Sequence, residues 1–205
     1  MNTAALNLIA QRRSVGRYQA NRTVSDDCLR ELTRLATLAP SAFNLQNWKI
    51  LVVRSVEAKA RLRALAFGQP QVEEAAATFI ICGTLSAYRG LQQTLQPAVD
   101  ANILNTEIQQ AWVQMATDSH QQDPQLQRDE AIRSASLAAM TLMHAAEAMG
   151  LATGAMGGFD AAGVAKAFEL SQDELPVMLI TLGYPAANTW PQKPRKPLEQ
   201  VMSLY

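Results

Sequence analysis

Four short clusters in this chain could do chemistry, and none of them is an acid–base set. The first is Arg12, Arg13 and Ser14 with Arg17 close behind, where a helical pattern gives way to a loop. Guanidiniums offer a planar fork of donors, and with a hydroxyl beside them they make a phosphate grip. The plainer alternative is a basic helix end that answers the helix dipole. The second cluster runs from Pro40 through Ser41, Asn44 and Gln46 to Trp48. Its hydroxyl and amides can satisfy the edge of a heterocycle that both donates and accepts; an ordinary capped turn is the alternative. The third is Ala155, Met156, Gly157, Gly158 and Phe159. Adjacent glycines let a backbone approach a flat ligand, with an N–H close to a ring nitrogen. The alternative is a helix-terminating turn that uses Gly150 and Gly154 as caps. The fourth, Lys193 to Pro197 with Arg195 and Lys196, could close on the same phosphate or stand as a solvated basic tail.

The rest of the sequence excludes most other chemistries. His120 and His144 are the only histidines, and no HExxH or GxSxG occurs. No GxGxxG follows a strand, so a Rossmann site is not indicated. Cys28 and Cys82 form no CxxC pair and lie in apolar stripes, which removes zinc and dithiol readings. His144 is expected to pack beside Met140 and Met143. No metal and no catalytic protein side chain is expected; such a chain can take its chemistry from a cofactor.

Several elements must position these clusters. Residues 3–13 have helical spacing with Asn2 or Thr3 as cap, and Ser25 or Asp26 caps a second helix that Pro40 stops. WKILVV, TFIICG and PVMLITLG read as three buried strands. Residues 57–66 read as helix. Tyr88 to His120 is helical in pattern with a break at Pro97, and Ile103, Leu104, Ile108, Ala111, Trp112 and Met115 form its apolar stripe. A polar segment, QQDPQLQRDE, precedes a helix from Ala131 to Met149 that suits a core or dimer contact. Asp160 caps a short helix, and the proline-rich tail from Tyr184 is extended. The class is α+β, a small sheet surrounded by helices, with residues 1–205 as a single domain.

Lys+Arg and Asp+Glu both number 18 in 205 residues, so no global basic field for nucleic acid exists. No apolar run approaches the ~20 residues of a membrane helix. No signal peptide is evident, and the free thiols suit a reducing compartment, so a cytoplasmic protein is expected.

The order of the motifs resembles the nitroreductase family of FMN enzymes. R-R-S opens the chain, P-S-x-x-N-x-Q-x-W follows the second helix, and Q-P-Q-V precedes the second strand. G-L-x-x-x-x-M-G-G-F-D, L-G-Y-P and K-x-R-K-P follow in turn. The match spans nearly the whole chain and is weakest between Tyr88 and Asp129. The resemblance implies a three-layer α-β-α fold around a mainly antiparallel sheet. It implies a homodimer with FMN at the interface and the C-terminal tail laid on the partner. Arg12, Arg13 and Ser14 would hold the phosphate and ribityl end with Lys193 and Arg195. Pro40, Ser41, Asn44 and Gln46 would come from the partner chain or line the ring. Gln69 or Gln71 would contact the pyrimidine or ribityl side. Met156, Gly157 and Gly158 would lie against the ring.

Two departures stand out. The family often has a basic residue two positions after the motif serine; here Gly16 takes that place and Arg17 follows. Asn47 replaces a proline before Trp48. The implied activity is ping-pong reduction of small acceptors, such as nitroaromatics or quinones, by NADH or NADPH. The alternatives are an FMN reservoir or sensor without turnover, or a specialised relative with another substrate.

Overall fold

In the computed structural model, which describes residues 3–205, four strands form one antiparallel sheet in the order β1-β2-β4-β3. They are β1 (Trp48–Val53), β2 (Ala77–Thr84), β3 (Ala152–Met156) and β4 (Glu174–Gly183). The apolar runs of β2 and β4 occupy the centre because both of their faces are covered. Side chains alternate across a strand. Phe79 and Ile81 of β2 therefore join Ile180 and Leu182 of β4 under α2 (Asp26–Ala36) and α7 (Pro124–Ala148). Ile80, Cys82 and Leu179 face the other way, onto α3 (Val56–Leu65), α4 (Gln71–Glu74) and α8 (Ala161–Ala167). The result is the three-layer α-β-α arrangement. A separate cluster around Leu45, Tyr88, Leu91 and Leu95 joins α5 (Leu91–Asp100) to α6 (Thr106–His120).

Helix α7 lies unusually close to β2. A Cβ on Gly83 would sit 2.5 Å from the Ala131 carbonyl oxygen, so only glycine permits that approach. Local capping explains several helix starts. Ser25 Oγ accepts from the Cys28 amide, and Asp160 Oδ1 accepts from the Gly163 amide at 3.0 Å. The first helix, α1, spans Thr3–Gln11; the alternative cap Asn2 lies outside the described residues.

Other expectations are corrected. Pro97 does not break the helix; it sits inside α5. Its missing N–H frees the Gln93 carbonyl on an exposed face, where water can take it. The break falls later, at Ala101–Asn105, where Asn102 is left-handed (φ 56°) and Asn105 caps α6. The expected stripe holds only in part: Leu104 and Trp112 pack against the Leu91 and Leu95 cluster. Ile103 and Met115 are exposed, whereas Gln109, Ala116 and His120 are buried. Gln109 Nε2 turns inward to donate to the Gln92 carbonyl and Gln96 Oε1.

The polar segment before Ala131 is the first part of α7. Asp123 caps it and Pro124 occupies the first turn. Strand β1 is a half-buried edge, not a buried strand. The fourth strand, β3, has no counterpart among the three strands that the apolar runs predict. Gly150 does end α7 with φ 72°, but Gly154 lies within β3. No helix among the described residues is long and apolar enough to cross a membrane.

Candidate functional site

The outer edge of β3 builds a cavity. One edge of β3 pairs with β4; on the other, Ser14 bridges to Thr153 and the Val15 amide donates to the Thr153 carbonyl at 2.8 Å. Backbone groups alternate in direction along a strand. Ala155, two residues on, therefore presents its N–H and C=O to the same side as Thr153, and there no further strand pairs among the described residues. A cavity of about 520 Å³ opens at this edge, lined by Ser14, Arg17, Gln71, Met156, Trp190 and Lys193.

The wall that carries Ser14 and Arg17 is held by a buried network. The Tyr18 hydroxyl lies 3.0 Å from the Val15 carbonyl oxygen and 2.8 Å from Thr181 Oγ1. Thr181 Oγ1 also donates toward the Gly154 carbonyl at 3.2 Å. A Cβ on Gly154 would stand 2.3 Å from the Val15 carbonyl oxygen, so this glycine is what allows the segment to dock. The Ala186 amide then donates to the Arg17 carbonyl at 3.1 Å, which brings the tail alongside.

The charges in and around the cavity are unevenly compensated. Arg17 Nη1 is 2.7 Å from Glu74 Oε1. Lys193 lies 4.8 Å from the centre of the Trp190 ring, a cation–π arrangement. Arg13 donates to Thr189 Oγ1 at 3.3 Å, while its Nε is buried without a partner. An unpaired buried guanidinium N–H is costly, but Arg13 lines a separate, smaller cavity with Glu147 and Leu151 and not this one.

The two glutamines divide their tasks. Gln71 lines the cavity, and its Nε2 donates to Gln69 Oε1 at 2.9 Å and contacts Met156 Sδ at 3.6 Å. Gln69 stands behind it and donates to the Gly158 carbonyl at 2.9 Å. Gly157 and Gly158 follow β3 and are exposed.

Other expected residues lie apart. The Arg12 carbonyl accepts from Gln192 Nε2 at 3.0 Å, and its guanidinium does not line the cavity. Arg195 is exposed and donates to the Lys193 carbonyl. Pro40, Ser41, Asn44 and Gln46 are not among the residues that line this cavity in the single chain. Phe43, Asn44 and Gln46 have φ of 51°, 57° and 49°. Three left-handed non-glycine positions within four residues store backbone strain, a feature that clusters at ligand sites. The Gln46 amide donates to Ser41 Oγ at 2.9 Å, and Phe43 packs edge-on against Trp112 and His120.

Sequence reasoning missed Glu74, Thr181, Thr189 and Trp190. Thr181 carried a signal, as a lone hydroxyl in an apolar strand run. The others had none, because they join the site only through contacts distant in sequence. Neither cysteine lines the cavity. His120 is buried against Tyr88, with ring centres 5.9 Å apart.

The model of the nitroreductase family matches residues 9–184. The Bacillus subtilis protein named "Putative NAD(P)H nitroreductase YodC" is 39% identical over 199 residues, covering 97% of this chain and 98% of its own. A Thermus thermophilus NADH dehydrogenase is 35% identical, covering 98% and 93%. A crystal structure from Exiguobacterium sibiricum, named as a nitroreductase in complex with FMN, superposes with a TM-score of 0.90 at 29% identity, covering 98% and 96%. The chain belongs to the nitroreductase family.

Proposed function

We propose that this protein is an FMN-dependent oxidoreductase that uses NADH or NADPH to reduce small acceptors such as nitroaromatics or quinones. One observation carries the reading: the β3-edge cavity couples an anion-seeking end to a polar, strand-edged floor. Its volume lies within the roughly 300–1,000 Å³ typical of ligand sites. Ser14 and Lys193, both of which line the cavity, suit a phosphate. Gln71 and the backbone of Ala155 offer both donors and acceptors to a heterocycle. The residues therefore fit FMN, which when bound supplies hydride chemistry between a nicotinamide and an acceptor. The chain's own part is to bind, orient and shelter: Ser14 and Lys193 at the phosphate, Gln71 and Met156 at the ring, Trp190 as a wall.

The reading extends to a homodimer with residues 1–205 as one domain in each subunit. The strained loop from Ser41 to Gln46 lies outside its own cavity, and it would complete the cavity of the partner. The exposed tail beyond Lys193 would lie on that partner.

The test is an absorbance spectrum after FMN addition and gel filtration, before and after anaerobic NADH or NADPH. Retained flavin bands that bleach are the expected result. Bands that persist would favour a flavin reservoir, and a colourless protein would overturn the reading.

A further inference from the structure

Arg17 and Glu74 form an ion pair that the proposed flavin chemistry has not yet used. Arg17 lines both the cavity and the groove that adjoins it, whereas Glu74 lines only the groove. The carboxylate thus stands behind the arginine as seen from the cavity. Helix α4 sets this up. Gln71 and Glu74 are three residues apart, and so share one side of the helix. One short element therefore places an amide in the cavity and a carboxylate on the arginine beside it. The neighbouring acid is engaged elsewhere: Glu73 Oε2 is 2.5 Å from Arg63 Nη1.

We propose that Glu74 is a positioning residue that cancels the charge Arg17 presents to the cavity and so holds the reduction potential of bound FMN down. The inference rests on the FMN reading above. Two electrons and one proton turn the neutral oxidised ring into an anion, with the electrons coming from the nicotinamide as hydride. A full positive charge at the cavity wall favours that anion; an ion pair presents a dipole, whose field falls off faster. An ordinary surface ion pair would contribute little to stability and nothing to redox behaviour. The potential separates these cases, because it reads only the difference in affinity between reduced and oxidised flavin.

The experiment measures FMN affinity and two-electron potential for the wild type, Glu74→Gln, Arg17→Gln and the double variant. Glutamine keeps the shape and an acceptor for Arg17 while removing the charge. Glu74→Gln should favour the reduced flavin about tenfold, a rise of about 30 mV for a two-electron couple. Arg17→Gln should lower the potential, because it leaves Glu74 unpaired. The double variant should return close to the wild type. An unmoved potential in Glu74→Gln would overturn the proposal. So would equal tightening of both redox forms, which would place the pair's influence on the phosphate. A wild type that retains no FMN would overturn the site reading itself, and the inference with it.

Discussion

Gly154 and Tyr18 exchange space: the glycine leaves out a methyl group, and the tyrosine hydroxyl closes the network around the gap. The cost is a buried phenol. Burial holds the Tyr18 hydroxyl well above its ordinary pKa, with the Thr181 hydrogen bond pulling the other way. Cys82, on the same side of the sheet as Thr181, is pushed up to about 12 by burial, with Glu174 adding to the effect and Lys49 opposing it. Both pKa values are raised by folding. Their contribution to stability is therefore complete below the ordinary values and is lost as pH climbs toward the folded ones. The thiol begins first, above its ordinary value of 9.0, and the phenol follows above 10.0. Each group then removes up to about 1.4 kcal/mol per pH unit. Chemical denaturation at pH 8, 9.5 and 10.5 should show stability falling from about pH 9. In Cys82→Ala the fall between pH 9 and 10 should be shallower, with the Cys28 thiol, also raised by burial, left to titrate there. Parallel curves for the two proteins would mean that Cys82 is not the group that titrates.

The loop between α2 and β1 is strained where it is needed. Gln46 adopts φ 49°, which glycine reaches without cost. Gln46→Gly should therefore leave thermal stability unchanged or slightly raised, since the Gln46 backbone can still donate to Ser41. If the amide reaches the partner's flavin, FMN affinity should fall by about 0.5–1.5 kcal/mol. A flavin titration beside a melting curve separates the two effects, and unchanged affinity would remove Gln46 from the site. The same contrast between local and distant causes explains what the sequence revealed. Ser25 and Asp160 were legible as caps because a cap is settled within four residues. Strands β2 and β4 were legible because strands covered on both faces read as unbroken apolar runs. Asp123 and Pro124 carried a cap signal for α7 that the polar residues after them obscured. Strand β3 carried none: Ala152, Thr153 and Gly154 are small, and they form a strand because β4 and the segment after α1 pair with them. The phase of α6 was likewise decided by what it packs against. Among the residues that line the cavity, Ser14 and Lys193 were legible from residue type and motif order; which of Gln69 and Gln71 lines it, and the places of Glu74 and Thr189, required the fold.

At the scale of the molecule, the tail is an unfinished contact. Its root is tied down: Gln192 donates to the Arg12 carbonyl, and Arg13 donates to Thr189. Beyond Lys193 its hydrogen bonds among the described residues are local, as in Arg195 to Lys193 and Gln200 to Pro197. Yet this stretch carries Leu198, Val201, Met202 and Leu204, all exposed, with Leu204 at 86%. Apolar side chains gathered on one segment mark an interaction surface. On α1, Leu6 and Ile9 are exposed as well, and that helix has no buried residue. A second copy of the chain would cover such surfaces, and the same association would bring the partner's loop to the cavity. Ending the chain after Lys193 tests this, because it keeps Thr189, Trp190 and Lys193 at the cavity. The shortened protein should keep its helical and strand signal by circular dichroism. In sedimentation at micromolar concentration it should run as a monomer where the full chain runs as a dimer. Its FMN affinity should fall, since the donors of the partner's loop leave with the partner. A shortened chain that still sediments as a dimer would show that the tail is not what holds the subunits together, and α1 would then be the next surface to alter.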